Sequence, residues 1–143
     1  MAFPTPEPGL VISYAYLWRH EHAAGLEEGR KTRPCVIVLA VEQQGDATLV
    51  TVAPITHSMP TGATVGLEIP LRVKQHLELD DAQSWVIISE VNQFVWPGYD
   101  LRTVPGNKHR FDHGFLPPNL FEKIKSGLLD LLVKRRADIT SRD

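Results

Sequence analysis

Arg33 stands directly before Pro34 and an unbroken apolar run over residues 35–41, which places a cation at the start of what reads as a buried strand. A planar guanidinium donates two parallel hydrogen bonds to phosphate oxygens, and such donors stabilise the charge that builds on a five-coordinate phosphorus. Its pKa above about 12 makes it a poor proton carrier, so another group must move protons. His57 is a candidate, because an unperturbed imidazole pKa near about 6.5 suits proton transfer at neutral pH. Thr56, its neighbour, offers a hydroxyl that positions a phosphate. Alternation argues against the pair, since a regular strand that turns Thr56 into a cleft turns His57 away, a rule that loosens at a strand end. Glu28 competes as the base. His20-Glu21-His22 invites a metal reading, since imidazoles two apart on an extended segment share a side, but a third ligand has no recognisable spacing and no metal is expected. Trp85, Phe94, Trp96 and Tyr99 straddle a strand and its Pro97-Gly98 turn. Most of these belong to a core; Trp96 and Tyr99, close to Arg102, are the exposed pair, of a type that stacks on unpaired bases for roughly 1–3 kcal/mol each.

The elements that must position these groups are mainly strands. Leu10, Ile12, Tyr14, Tyr16 and Trp18 recur at period two and predict a strand over residues 10–18. Residues 19–32 form a long polar loop of the kind that often carries function. The continuous apolarity of residues 35–41 predicts a mid-sheet strand buried on both faces. Gln44-Gly45-Asp46 reads as a hairpin turn into an antiparallel partner over residues 47–55. Residues 64–69 read as a short strand, 71–79 as a helical turn, and 84–96 as the longest β run. Leu116, Leu120, Ile124, Leu128 and Leu131 recur at helical spacing, so a terminal amphipathic helix is expected over about 118–135, with Asn119 and Glu122 as its N-cap signature. The fold class is mostly β with minor α: a strongly bent antiparallel sheet or partly open barrel, closed by one helix.

Composition bounds the function classes. A chain of 143 residues is one domain, here residues 1–143, and its 43% hydrophobic content is enough for one core. The apolar run of residues 35–41 is far shorter than the roughly 20 residues a membrane-spanning helix needs. The N-terminus has neither the basic flank nor the apolar stretch of a signal peptide, and a lone Cys35 forms no internal disulfide, so a cytoplasmic location is expected. The formal net charge of -2 advertises no global field for nucleic acid, although Arg102, Lys108 and Arg110 make a local basic strip, with His109 and His113 alongside.

Taken in order, a Gly-hydrophobic strand at residues 9–18, a long loop, Arg33-Pro34 opening an apolar strand, Pro54-Ile55-Thr56 ending the next, the strand at 84–92 and Asp100-Leu101-Arg102 resemble the PemK/MazF family of toxin endoribonucleases. The resemblance implies an SH3-like small barrel of five to seven strands with a C-terminal helix, acting as a cytoplasmic homodimer restrained by a cognate antitoxin. It implies sequence-selective, metal-independent cleavage of single-stranded RNA by 2′-hydroxyl attack, leaving a 2′,3′-cyclic phosphate and a 5′-hydroxyl. Carried residue by residue, the essential arginine falls on Arg33, the essential threonine on Thr56 and a loop acid on Glu28. Proton transfer falls to Glu28 or His57, and Arg19, Lys31, Trp96, Tyr99 and Arg102 are the expected RNA contacts. Ser84 and Glu90 receive no role, because the spacing there departs from the family pattern by one residue. The loop over residues 19–32 is longer than the family's. A non-catalytic interaction module on the same barrel, a gyrase-inhibiting toxin and a degenerate toxin acting as a regulator are the competing readings, since fold alone does not separate them.

Overall fold

The computed structural model describes residues 3–26, 31–43 and 45–142. The large residues alternating from Leu10 build β1 (Leu10–Tyr14), and the apolar run after Pro34 builds β2 (Arg33–Glu42). The hairpin expected around Gly45 joins β2 to β3 (Thr48–Thr56), in antiparallel register from Cys35 opposite Pro54 to Glu42 opposite Thr48. Then come β4 (Gly66–Glu68), β5 (Trp85–Ile87), β6 (Glu90–Val95), β7 (Asp112–Phe115) and β8 (Asp138–Ser141). Three helices punctuate them: α1 (Arg19–Ala23), α2 (Leu71–His76) and α3 (Pro118–Val133).

Among the described residues, eight strands form one bent sheet in the order β4-β5-β3-β2-β1-β7, with β6 on β3 and β8 on β6. The count exceeds the expected five to seven, and the sheet does not close. All pairings are antiparallel except β6 with β8. The β run at 84–96 is two strands, not one. Two residues separate Val52 from Ile55 on β3, whereas five separate Val86 from Asn92 on their partners, so the chain bends between β5 and β6. β3 thereby serves both: its first half pairs β6 and its end pairs β5.

β2 is buried on both faces through Cys35, Val36, Ile37 and Val38, as its continuous apolarity predicts. One face joins Val11, Val36, Val38, Ala53 and Ile55 to Ile124, Leu128 and Leu131 of α3. The other joins Leu10, Ile12, Tyr14 and Tyr16 to Ile37, Val52, Phe94 and Phe111, with Trp18 packed at its edge, which is the period-two set of the sequence. The strand itself stops at Tyr14, short of Trp18, and the next N–H, that of Ala15, donates to the Asp100 carbonyl. α3 starts at Pro118, as expected, but not on the expected cap. Pro118 occupies its first turn and Pro117 its N-cap with no side-chain cap bond, so Asn119 is inside the helix; a fixed proline φ suits the first helical position without a cap.

Candidate active site

Antiparallel register sets the site. Cys35 opposes Pro54, so two residues further along Arg33, which opens β2, and Thr56, which closes β3, reach the same end of the hairpin. β3 stops at Thr56, and the alternation that would turn His57 away stops with it. Arg33, Thr56 and His57 all line one pocket of about 470 Å³, together with Lys31, Ser13 and Pro34. Arg33 is held over the Trp18 ring, with Cζ 5.0 Å from the centroid. A guanidinium on an aromatic face is attracted by the ring quadrupole while its in-plane N–H groups stay free to donate. Its Nε is buried and has no hydrogen-bond partner among the described residues. Thr56 Oγ1 accepts the Ser58 N–H at 3.2 Å, which shapes the turn into His57.

The region over residues 74–84 supplies a second group of polar residues that the sequence reading did not assign. His57 Nε2 lies 2.7 Å from Asp80 Oδ2, and Lys74 Nζ lies 2.5 Å from Asp80 Oδ1. Lys74 is 2% exposed and also donates to Ser84 Oγ at 2.7 Å and to the Ala82 carbonyl. The hydrogen bond from Lys74, joined by the His57 charge and opposed by partial burial, holds the Asp80 carboxyl below its ordinary pKa. A carboxylate fixed on Nε2 orients the ring and leaves Nδ1 to meet a substrate. The available signal was Lys74, a cation sharing the apolar face of a helical turn with Leu77 three residues on. His113 of β7 also lines the pocket. Burial first, and the Arg110 cation second, push its pKa below the ordinary imidazole value, against the opposing effect of Asp112.

Residues 16–132 match the family model described as a PemK-like, MazF-like toxin of type II toxin-antitoxin systems. The chain belongs to that family. No curated protein matches the toxin significantly. The family match spans Arg33, Thr56, His57, Lys74, Asp80 and His113 and ends in the last turn of α3, before β8. Members of the family are in general endoribonucleases, and a type II toxin implies an antitoxin partner. No described helix is long and apolar enough to cross a membrane.

The remaining expected residues of the toxin are placed as follows. Glu28 lies outside the described residues. Arg19, Trp96, Tyr99 and Arg102 do not line the pocket. Arg19 opens α1 and pairs with Asp138 at 3.2 Å. Tyr99 is 99% exposed, Trp96 is partly buried beside Phe94, and Arg102 donates to the Tyr99 carbonyl at 2.6 Å. The Arg102 backbone N–H donates to the Ser13 carbonyl, which ties that segment to the pocket wall. His20 and His22 sit on α1, not on an extended segment, so residues two apart diverge and do not share a side. Glu21 between them is buried and accepts the Trp18 N–H at 3.1 Å. Glu90 accepts the Tyr16 hydroxyl and the Arg19 N–H, both at 3.0 Å, away from the pocket.

Proposed function

We propose that this toxin cleaves single-stranded RNA through attack of the ribose 2′-hydroxyl on the adjacent phosphate, releasing 2′,3′-cyclic phosphate and 5′-hydroxyl ends. The observation that carries the reading is the meeting of Arg33, Thr56 and His57 in one pocket, from the two strands at the open end of one hairpin. Arg33 binds the charge developing on the phosphoryl oxygens, Thr56 positions the phosphate, and His57, oriented by Asp80, transfers a proton. The guanidinium supplies the charge stabilisation, so the reaction runs without a metal. Glu28 is the sequence's alternative to His57 for that proton transfer. RNA is chosen over DNA because only RNA carries the attacking hydroxyl. A homodimer restrained by a cognate antitoxin, and working in the cytoplasm, belongs to the same reading.

The test is incubation of the purified protein with a long unstructured RNA in EDTA, with Arg33→Ala as control and analysis of the 3′ ends. Cyclic-phosphate ends at a short recurring sequence, absent with the variant, are expected. Intact RNA from folded protein, or undiminished cleavage by Arg33→Ala, rejects the reading and turns attention to a protein-binding role on the same fold.

A further inference from the structure

In-line transesterification needs two proton transfers at once, one from the attacking 2′-hydroxyl and one to the departing 5′-oxygen. A single imidazole does not stand on both sides of the phosphorus. The pocket holds a second. In the sheet β3, β2, β1 and β7 lie side by side, so His57, which follows β3, and His113, on β7, reach the pocket from strands three places apart. Both side chains border the same pocket from strands that β2 and β1 separate. Arg33 opens β2, between them.

We infer that His113 is the general base of this reaction and His57 its general acid. The inference rests on the RNA-cleaving reading above. His113 takes the proton from the 2′-hydroxyl as O2′ bonds to phosphorus; the bond from phosphorus to O5′ breaks, and His57 gives its proton to O5′. The two imidazoles exchange protonation states, and water restores them before the next turnover. The groups facing His113 suit a base. Arg110 and Asp112 flank it on its own segment, with Arg110 Nη2 3.6 Å from Asp112 Oδ2, while Lys31, Arg33, the Lys74–Asp80 pair and Glu78 are the other charged residues lining the pocket. His57, by contrast, has the Asp80 carboxylate against its ring, where an imidazolium finds a partner.

The roles separate by changing the leaving group. A substrate whose bridging 5′-oxygen is replaced by sulfur departs as a thiolate and needs no acid. Wild type, His57→Ala, His113→Ala and His113→Gln are assayed on normal and 5′-thio RNA, with circular dichroism and thermal melting to confirm folding. On normal RNA each variant is expected to lose about 10²- to 10⁴-fold in kcat. On the 5′-thio substrate His57→Ala recovers to near wild type and the His113 variants do not. The acidic limb of the wild-type pH profile disappears in the His113 variants. Full activity of either folded His113 variant, or recovery of the His113 variants in place of His57→Ala, overturns the assignment while leaving RNA cleavage intact. Failure of the wild type to cut normal RNA removes the underlying reading and the assignment with it.

Discussion

At the scale of single residues, the chemistry depends on what holds each side chain. Arg33→Ala is expected to fold and to lose cleavage, and Arg33→Lys to fall about 10²-fold because an ammonium lacks the fork, both read in single-turnover assays. The Trp18 ring under Arg33 contributes about 0.5–2 kcal/mol of cation–π attraction, so Trp18→Ala should cost about 2- to 30-fold in kcat/KM without altering the cleavage sequence. Asp80 gives a pH signature. Its carboxyl is held below its ordinary value in the folded chain, so its stabilisation is fully present above the unfolded value of about 3.9 and is lost as pH falls through the folded value. Melting curves of wild type and Asp80→Asn should therefore differ at neutral pH and converge in acid. Arg33 and His57 were legible from chemistry alone, since each residue type has one obvious use. Lys74, Asp80 and His113 were not, because their meaning comes from partners 6 to 56 residues distant along the chain.

At the scale of elements, periodicity carried the trunk of the fold. The alternation from Leu10 and the apolar run from Cys35 each has one burial pattern that satisfies it, and β1 and β2 adopt those patterns. β7 and β8 left no comparable trace. Asp112-His113-Gly114-Phe115 and Asp138-Ile139-Thr140-Ser141 are four-residue pieces too short to show an alternation, made strands by remote neighbours: β1 for one, β6 for the other. The bend between β5 and β6 was equally hidden, since it answers to β3 and not to the local sequence. α3 offers a quantitative check on packing. Alanine in place of Gly127 gains about 0.8–1.0 kcal/mol of helix propensity, but its Cβ would stand 2.8 Å from Ile88 Cδ1. Gly127→Ala should therefore stabilise less than that amount, and more nearly the full amount in an Ile88→Val background, as a double-mutant cycle in urea will show.

At the scale of the whole molecule, two long-range features decide behaviour. Arg142, 2% exposed, donates to Asn92 and the Ala15 carbonyl and pairs with Asp100 at 2.7 Å, tying the segment after β8 to the first strand's exit. Arg142→Ala leaves Asp100 without that charge, and a loss of about 3–5 kcal/mol is expected from urea midpoints. The second feature is the absence of a global positive field at net charge -2. If Lys31 and Arg33 carry the phosphate contacts, Lys74 being paired with Asp80, log Kd against log salt should have a slope of magnitude only about 1.4, measured on a non-cleavable RNA. The β2–β3 hairpin has a further consequence. Its proposed chemistry stands at the strand ends, while the opposite tip is closed by the Gln43 N–H to the Ala47 carbonyl and turns through left-handed backbone at Gly45 and Asp46. Along a ten-residue strand at about 3.3 Å per residue, that tip lies roughly 30 Å from Arg33. A fluorophore or a surface tether attached at Asp46 would thus stand a hairpin's length from the proposed phosphate site, close enough to report an arriving labelled RNA by energy transfer and too far to obstruct it.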